Sequence, residues 1–205
     1  MKRTIFTATA AALALAACGG SEPATNDMAL NDMAMDNLMM NDTAMTNDMG
    51  MNTTMPTMPA NGQEYAAMAA ASDMYEIESS KLAAEKAQNA DVKAFAQMLV
   101  TEHEKATADL KTAAGRAEPA ITVTPALNAE QTANMEALRA TASGADFDRV
   151  YMQQQVQAHE KALGMLQGYG ASGDVPALKD HASKTAPVVE KHMTRARELA
   201  GSVGR

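Results

Sequence analysis

The sequence predicts an all-α protein built on a four-helix bundle, and three observations carry that expectation. Four stretches repeat small or apolar residues at steps of three and four. Short polar breaks separate them in pairs. The composition is rich in alanine and methionine, with 3% aromatics and no tryptophan. Close packing on small residues suits helices, whereas sheets favour β-branched and aromatic side chains.

The first helix is expected from Gln63 to about Asn89, a run with no Gly or Pro. Its seam reads Met68, Ala71, Tyr75, Glu78 and Leu82. Asn89-Ala90-Asp91 breaks it, with Asp91 as N-cap of a second helix running to about Arg116, where Gly115 and Pro119 are stop signals. The turn is short, so the two should form an antiparallel hairpin. A connector at 118–125 leads to a short extra helix from Ala129 to Ala142. Asp146 is expected to cap a long helix ending near Tyr169. After Gly170, Gly173 and Asp174, the last helix spans Val175 to Ala200, with a kink or break near Thr185 caused by Pro187.

Three seams carry a histidine where Leu or Ala would be ordinary. His103 follows Val92, Ala96 and Leu99, and precedes Leu110. His159 follows Met152 and Val156. His192 follows Ala182 and Val189. One imidazole from each of three helices, with Glu78 from the first, would meet in the bundle core as a metal site. Glu76 and Glu102 are the alternates. Counting 1.5 Å per residue from each turn puts His103 level with Ile77, and His159 near mid-helix. His192 falls about a turn and a half away from His159. Imidazole and carboxylate ligands suit Cu, Zn, Fe or Mn. The competing reading is a metal-free polar network that fixes bundle register. His181 lies off its seam and is expected at the surface.

The N-terminus reads as a signal. Lys2 and Arg3 precede an apolar run from Ile5 to Ala14, and Leu15-Ala16-Ala17-Cys18 follows. The run is too short for a lasting span. It resembles the lipobox of bacterial lipoproteins, which implies removal of residues 1–17, acylation of Cys18 and anchoring to the membrane by lipid. Gly19, rather than Asp, after the cysteine implies the outer membrane, facing the periplasm. Cys18 is the only cysteine, so no intrachain disulfide forms.

Residues 18–61 repeat Asn-Asp-Met loosely and hold ten methionines between Met28 and Met58, with no aromatic, Lys or Arg after Cys18. Such a stretch cannot bury enough to offset its ordering entropy, and it is expected to be a disordered tether of roughly 35 Å reach. Thioethers suit Cu(I), so the tether is a second candidate for copper handling, beside a plain spacer and an oxidant sink. The net charge is -8, with no basic cluster for phosphate, so nucleic acid is not an expected partner. No phosphate loop, nucleophile elbow or catalytic cysteine occurs, and a non-enzymatic role is expected.

The motifs Glu76–Ala83, Val92–His103, Phe147–Tyr151 with His159, and Ala186–His192 occur in order. On them the chain resembles the bacterial ferritin-like Domain of Unknown Function 4142 family from about Glu64 to Ala200. The resemblance implies a ferritin-like bundle behind a secretion signal, and no particular activity. The family commonly has Asp-His where this chain has Glu102-His103. Di-iron relatives use Glu-x-x-His, but valines stand three before each seam histidine, at Val100, Val156 and Val189. A di-iron oxidase is therefore not expected. Residues 62–205 are the expected bundle domain. The role expected is that of an envelope lipoprotein with a metal-binding core, or a structural, stress-response or interaction lipoprotein without one.

Overall fold

The structure is a computed structural model and describes residues 58–204. The signal segment, Cys18 and the methionine-rich stretch up to residue 57 lie outside the described residues. The chain order is α1 (Gly62–Lys86), α2 (Ala90–Ala114), α3 (Ala129–Ala140), α4 (Ala145–Ser172) and α5 (Pro176–Val203), with no strand among the described residues.

Each boundary has a local cause. The Asn61 side chain accepts from the Glu64 amide and begins α1. At α2 the cap is Asn89, not Asp91: its side chain accepts from the amides of Asp91 and Val92, and Asp91 lies in the first turn. A capping box closes α3, with Asn128 and Gln131 satisfying each other's backbone. Entry to α4 is made by Gly144 at φ 122, a left-handed conformation that glycine adopts without Cβ strain. Asp146, expected as the cap, instead pairs with Arg149 in the first turn, 2.8 Å away. α5 is not broken. It runs through Pro187, whose ring and the facing Ser183 are both exposed, so water can satisfy the freed Ser183 carbonyl.

α1 with α2 and α4 with α5 form the two main hairpins. α2 lies beside α5 and α1 beside α4, closing a ring of four, while α3 packs outside on α1 and α4. Lys86 fastens α3 by donating to the carbonyls of Leu138, Arg139 and Thr141, and sits 5.3 Å from the Phe147 ring centre. Buried Asp148 accepts from the amides of Gln88 and Asn89, tying the α1–α2 turn to α4.

The core has two apolar ends. One holds Tyr75, Val92, Leu99, Met135, Phe147, Met152 and Leu199. The other holds Tyr65, Leu110, Leu166, Tyr169, Leu178 and Val189. Between them every bundle helix contributes polar side chains to one buried layer: Asp73 and Glu76 from α1, His103 from α2, His159 from α4 and His192 from α5.

Candidate metal centre

The three histidines expected on three seams do converge. Their ring centres are 6.0 Å (His103–His159), 5.6 Å (His103–His192) and 5.6 Å (His159–His192) apart. His192 is therefore level with His159, and the expected offset is wrong. The turn lies later than expected, since α4 continues to Ser172 and α5 begins only at Pro176.

Each ring holds one nitrogen with a partner outside the triad. His103 Nδ1 lies 2.8 Å from Asp73 Oδ1. His159 Nδ1 lies 2.9 Å from the carbonyl of Gln155. His192 Nε2 lies 2.6 Å from Glu102 Oε2. A carbonyl or carboxylate only accepts, so in each ring that nitrogen carries the proton and donates it. The opposite nitrogens, His103 Nε2, His159 Nε2 and His192 Nδ1, are buried and have no hydrogen-bond partner. In the neutral form of each ring this nitrogen keeps a lone pair, and His103, held above the usual histidine range, releases a proton to offer its own. Metal-binding histidines show this arrangement, with the second nitrogen fixed by a carboxylate or carbonyl.

The dimensions fit an ion. The triad offers ligand atoms within 4.8 Å of one another. Nitrogens about 2.0–2.1 Å from a central ion are about 3.3–3.6 Å apart, and their ring centres about 5.1–5.5 Å apart. Ring movements of about 1 Å would complete such a shell.

Electrostatics separates the members. Burial pushes His159 down to about 3, helped by the charge of His103, so its ring is neutral. The 3.8 Å approach of His159 Nδ1 to Glu76 Oε1 is therefore no ion pair, despite its length. Burial also lowers His103, but its hydrogen bond to Asp73 and the charge of Glu76 outweigh it and hold this ring above the usual histidine range. His192 is lowered by burial, with Glu102 opposing. Glu76 is 2% exposed, and burial pushes its carboxyl up to about 7.

Glu78, the expected carboxylate, is not part of this layer. It is half-buried and faces Arg139 of α3 at 3.6 Å. Glu76 and Asp73 face inward instead. The alanines around α1 blur its apolar stripe, so the face could not be fixed from periodicity alone. Asp73 was missed altogether. Its signal was present: it lies three residues before Glu76, hence on the same helix face, and close to the height of His103 across the short turn. Glu102, an alternate ligand, holds His192 from the half-exposed edge.

His181 is buried, not at the surface. Its Nδ1 meets the Tyr65 hydroxyl at 2.7 Å, and Tyr65 stacks on Tyr169 at 4.1 Å between ring centres. Burial lowers its pKa.

A helical bundle with a buried three-histidine layer defines the class of protein as a candidate metal-binding helical protein. The chain belongs to the family described as Domain of unknown function (DUF4142), whose pattern matches residues 48–199. Comparison with curated proteins finds no match. Among solved structures, the fold is similar to one titled "CopM in the Cu(I)-bound form", with a TM-score of 0.56 and 15% identity, covering 69% of this chain and 96% of that one. At that identity the likeness concerns the fold alone.

Proposed function

We propose that this protein is a lipid-anchored protein of the bacterial envelope that binds one transition-metal ion between His103, His159 and His192. The observation that carries the reading is the set of three buried, unpartnered ring nitrogens facing one another, each ring held from behind by Asp73, Gln155 or Glu102. An orphaned buried polar atom costs about 1–3 kcal/mol, and a metal-free network leaves three of them in one layer. An ion satisfies all three together.

Copper is the ion favoured. Neutral imidazoles suit it, and the similar fold is titled as Cu(I)-bound. The methionine-rich stretch before residue 58 adds soft ligands on the same chain. We place the anchor at Cys18 and the protein at the outer membrane, facing the periplasm, on the lipobox resemblance. No described helix is long and apolar enough to cross a membrane. The role is one of binding and holding rather than catalysis.

The test is metal analysis of the full mature chain beside His103→Ala, His159→Ala and a variant lacking residues 21–57. One equivalent of copper, retained in the deletion and lost in both histidine variants, supports the core site. Binding lost only in the deletion moves the function to the methionines. Uptake of neither Cu, Zn, Fe nor Mn leaves the histidines as a structural polar network. Anchoring is checked separately, by acyl labelling that a Cys18→Ser variant should lose.

A further inference from the structure

A cavity lined by all four bundle helices adjoins His103 and His159, toward the apolar end that holds Leu166 and Val189. It is lined by Asp73, Glu76, His103, His159 and His181, with Ala69, Ala106 and Ala162 as its small walls. It offers about 20 Å³ to the centre of a water molecule. One water needs roughly 10–15 Å³ on that measure, and two to four polar partners. The partners are present: Glu76 Oε2 and His181 Nε2 are buried without a hydrogen bond, and the ion held by His103 Nε2 and His159 Nε2 would be the third. Glu76 is 2% exposed and His181 8% exposed, so these groups do not reach bulk solvent.

Three protein nitrogens leave a four-coordinate ion one ligand short. Closed structural sites fill all four places with protein, whereas exchanging sites keep one open. Of the carboxylates near the triad, Asp73 and Glu102 each accept from a ring, which leaves Glu76, whose Oε1 stands 3.8 Å from the proton-bearing Nδ1 of His159. The free volume lies beside that carboxylate.

We propose that the centre keeps one coordination position open to this cavity, for a ligand of one or two heavy atoms, with Glu76 and His181 as its polar walls. The proposal rests on the three-histidine metal reading above. The ligand class follows from the volume: water or a diatomic molecule fits, and an organic substrate does not. Such a centre exchanges its fourth ligand without moving the bundle helices. This marks it off from a sealed structural ion and from a purely thioether store.

Carbon monoxide bound to Cu(I) reads out the open position directly. The full chain is loaded anaerobically with one equivalent of Cu(I), uptake is confirmed by metal analysis, and carbon monoxide is added under infrared observation. One C–O stretching band, at one carbon monoxide per copper, is expected. Ala162→Leu and Ala69→Val should keep the copper and weaken carbon monoxide binding by about tenfold or more, since the added carbons occupy the cavity. Glu76→Gln, which keeps the shape, should retain the copper and shift the band. Copper bound with no band at saturating gas, or a band unchanged in all three variants, overturns the proposal. No copper uptake by the wild type overturns the metal centre itself, so the two failures are distinguishable.

Discussion

Asp73 is the residue whose replacement tests the site's architecture most sharply. Its carboxylate accepts from His103 Nδ1 at 2.8 Å and from Thr107 Oγ1 at 3.1 Å. Thr107 keeps a second acceptor, the His103 carbonyl at 3.0 Å, so Asp73→Ala orphans chiefly the imidazole N–H. An unsatisfied buried donor to a charged partner costs about 2–3 kcal/mol. For a helical domain of this size, about 2–4 °C of melting temperature accompanies each kcal/mol, so a fall of about 5–10 °C is expected. Loss of a group that orients a metal-binding histidine weakens metal affinity by about 10–100-fold. Asp73→Asn separates the two contributions, because its amide oxygen still accepts from Nδ1–H. It should melt within about 2 °C of wild type. His103 should then titrate lower, as the hydrogen bond and charge of Asp73 join Glu76 in raising it against burial. Calorimetry, a competitive metal titration and histidine proton NMR read the three quantities. An Asp73→Ala protein that melts and binds metal like wild type would refute the assigned role.

Other outcomes follow from the same geometry. The metal-free protein should lose stability as pH falls from 4.5 to 3. His159 stays neutral in the fold down to about 3 while the unfolded chain takes up its proton near 6.5, so the unfolded state holds more protons across that window. Glu76 acts oppositely between 4.5 and about 7, where the fold retains a proton that the unfolded chain has released, so the two offset each other from 4.5 to 6.5. Below 4.5 His159 alone of the pair acts, contributing about 2 kcal/mol, and urea titrations of a His159→Leu variant should show a correspondingly shallower acid limb. Tyr65→Phe removes the 2.7 Å hydrogen bond to the buried His181 ring, and should lower stability by about 1–2 kcal/mol by denaturant titration, with metal stoichiometry unchanged. Glu78→Ala should change neither metal content nor stability by more than about 0.5 kcal/mol, because its partner Arg139 is solvent-exposed.

Much of this architecture was legible in the residues. Punctuation at Asn89, Gly144 and Gly173 placed the helices, and the seams of α2, α4 and α5 aimed their histidines correctly, since Leu and Val there contrast with polar neighbours. On α1 that contrast is missing: alanines occupy several faces, and the inward side carries Asp73, Glu76, Ser79 and Ser80. A hydrophobic reading therefore chose Glu78 and passed over Asp73. His181 escaped for a similar reason, since its burial depends on Tyr65 from α1, 116 positions away, rather than on a local stripe. The height of His192 depended on where the α4–α5 turn is centred, because moving that centre by three residues moves the facing position by six, more than a turn and a half.

X-ray absorption at the copper edge of the Cu(I)-loaded full chain shows whether the ion sits among the three imidazoles of the bundle core. A first shell of three nitrogens at about 1.9–2.1 Å with no sulfur is expected, reduced in the His103→Ala protein. A shell dominated by sulfur at about 2.3 Å, unchanged in His103→Ala, would contradict the core site and place the copper on the methionines.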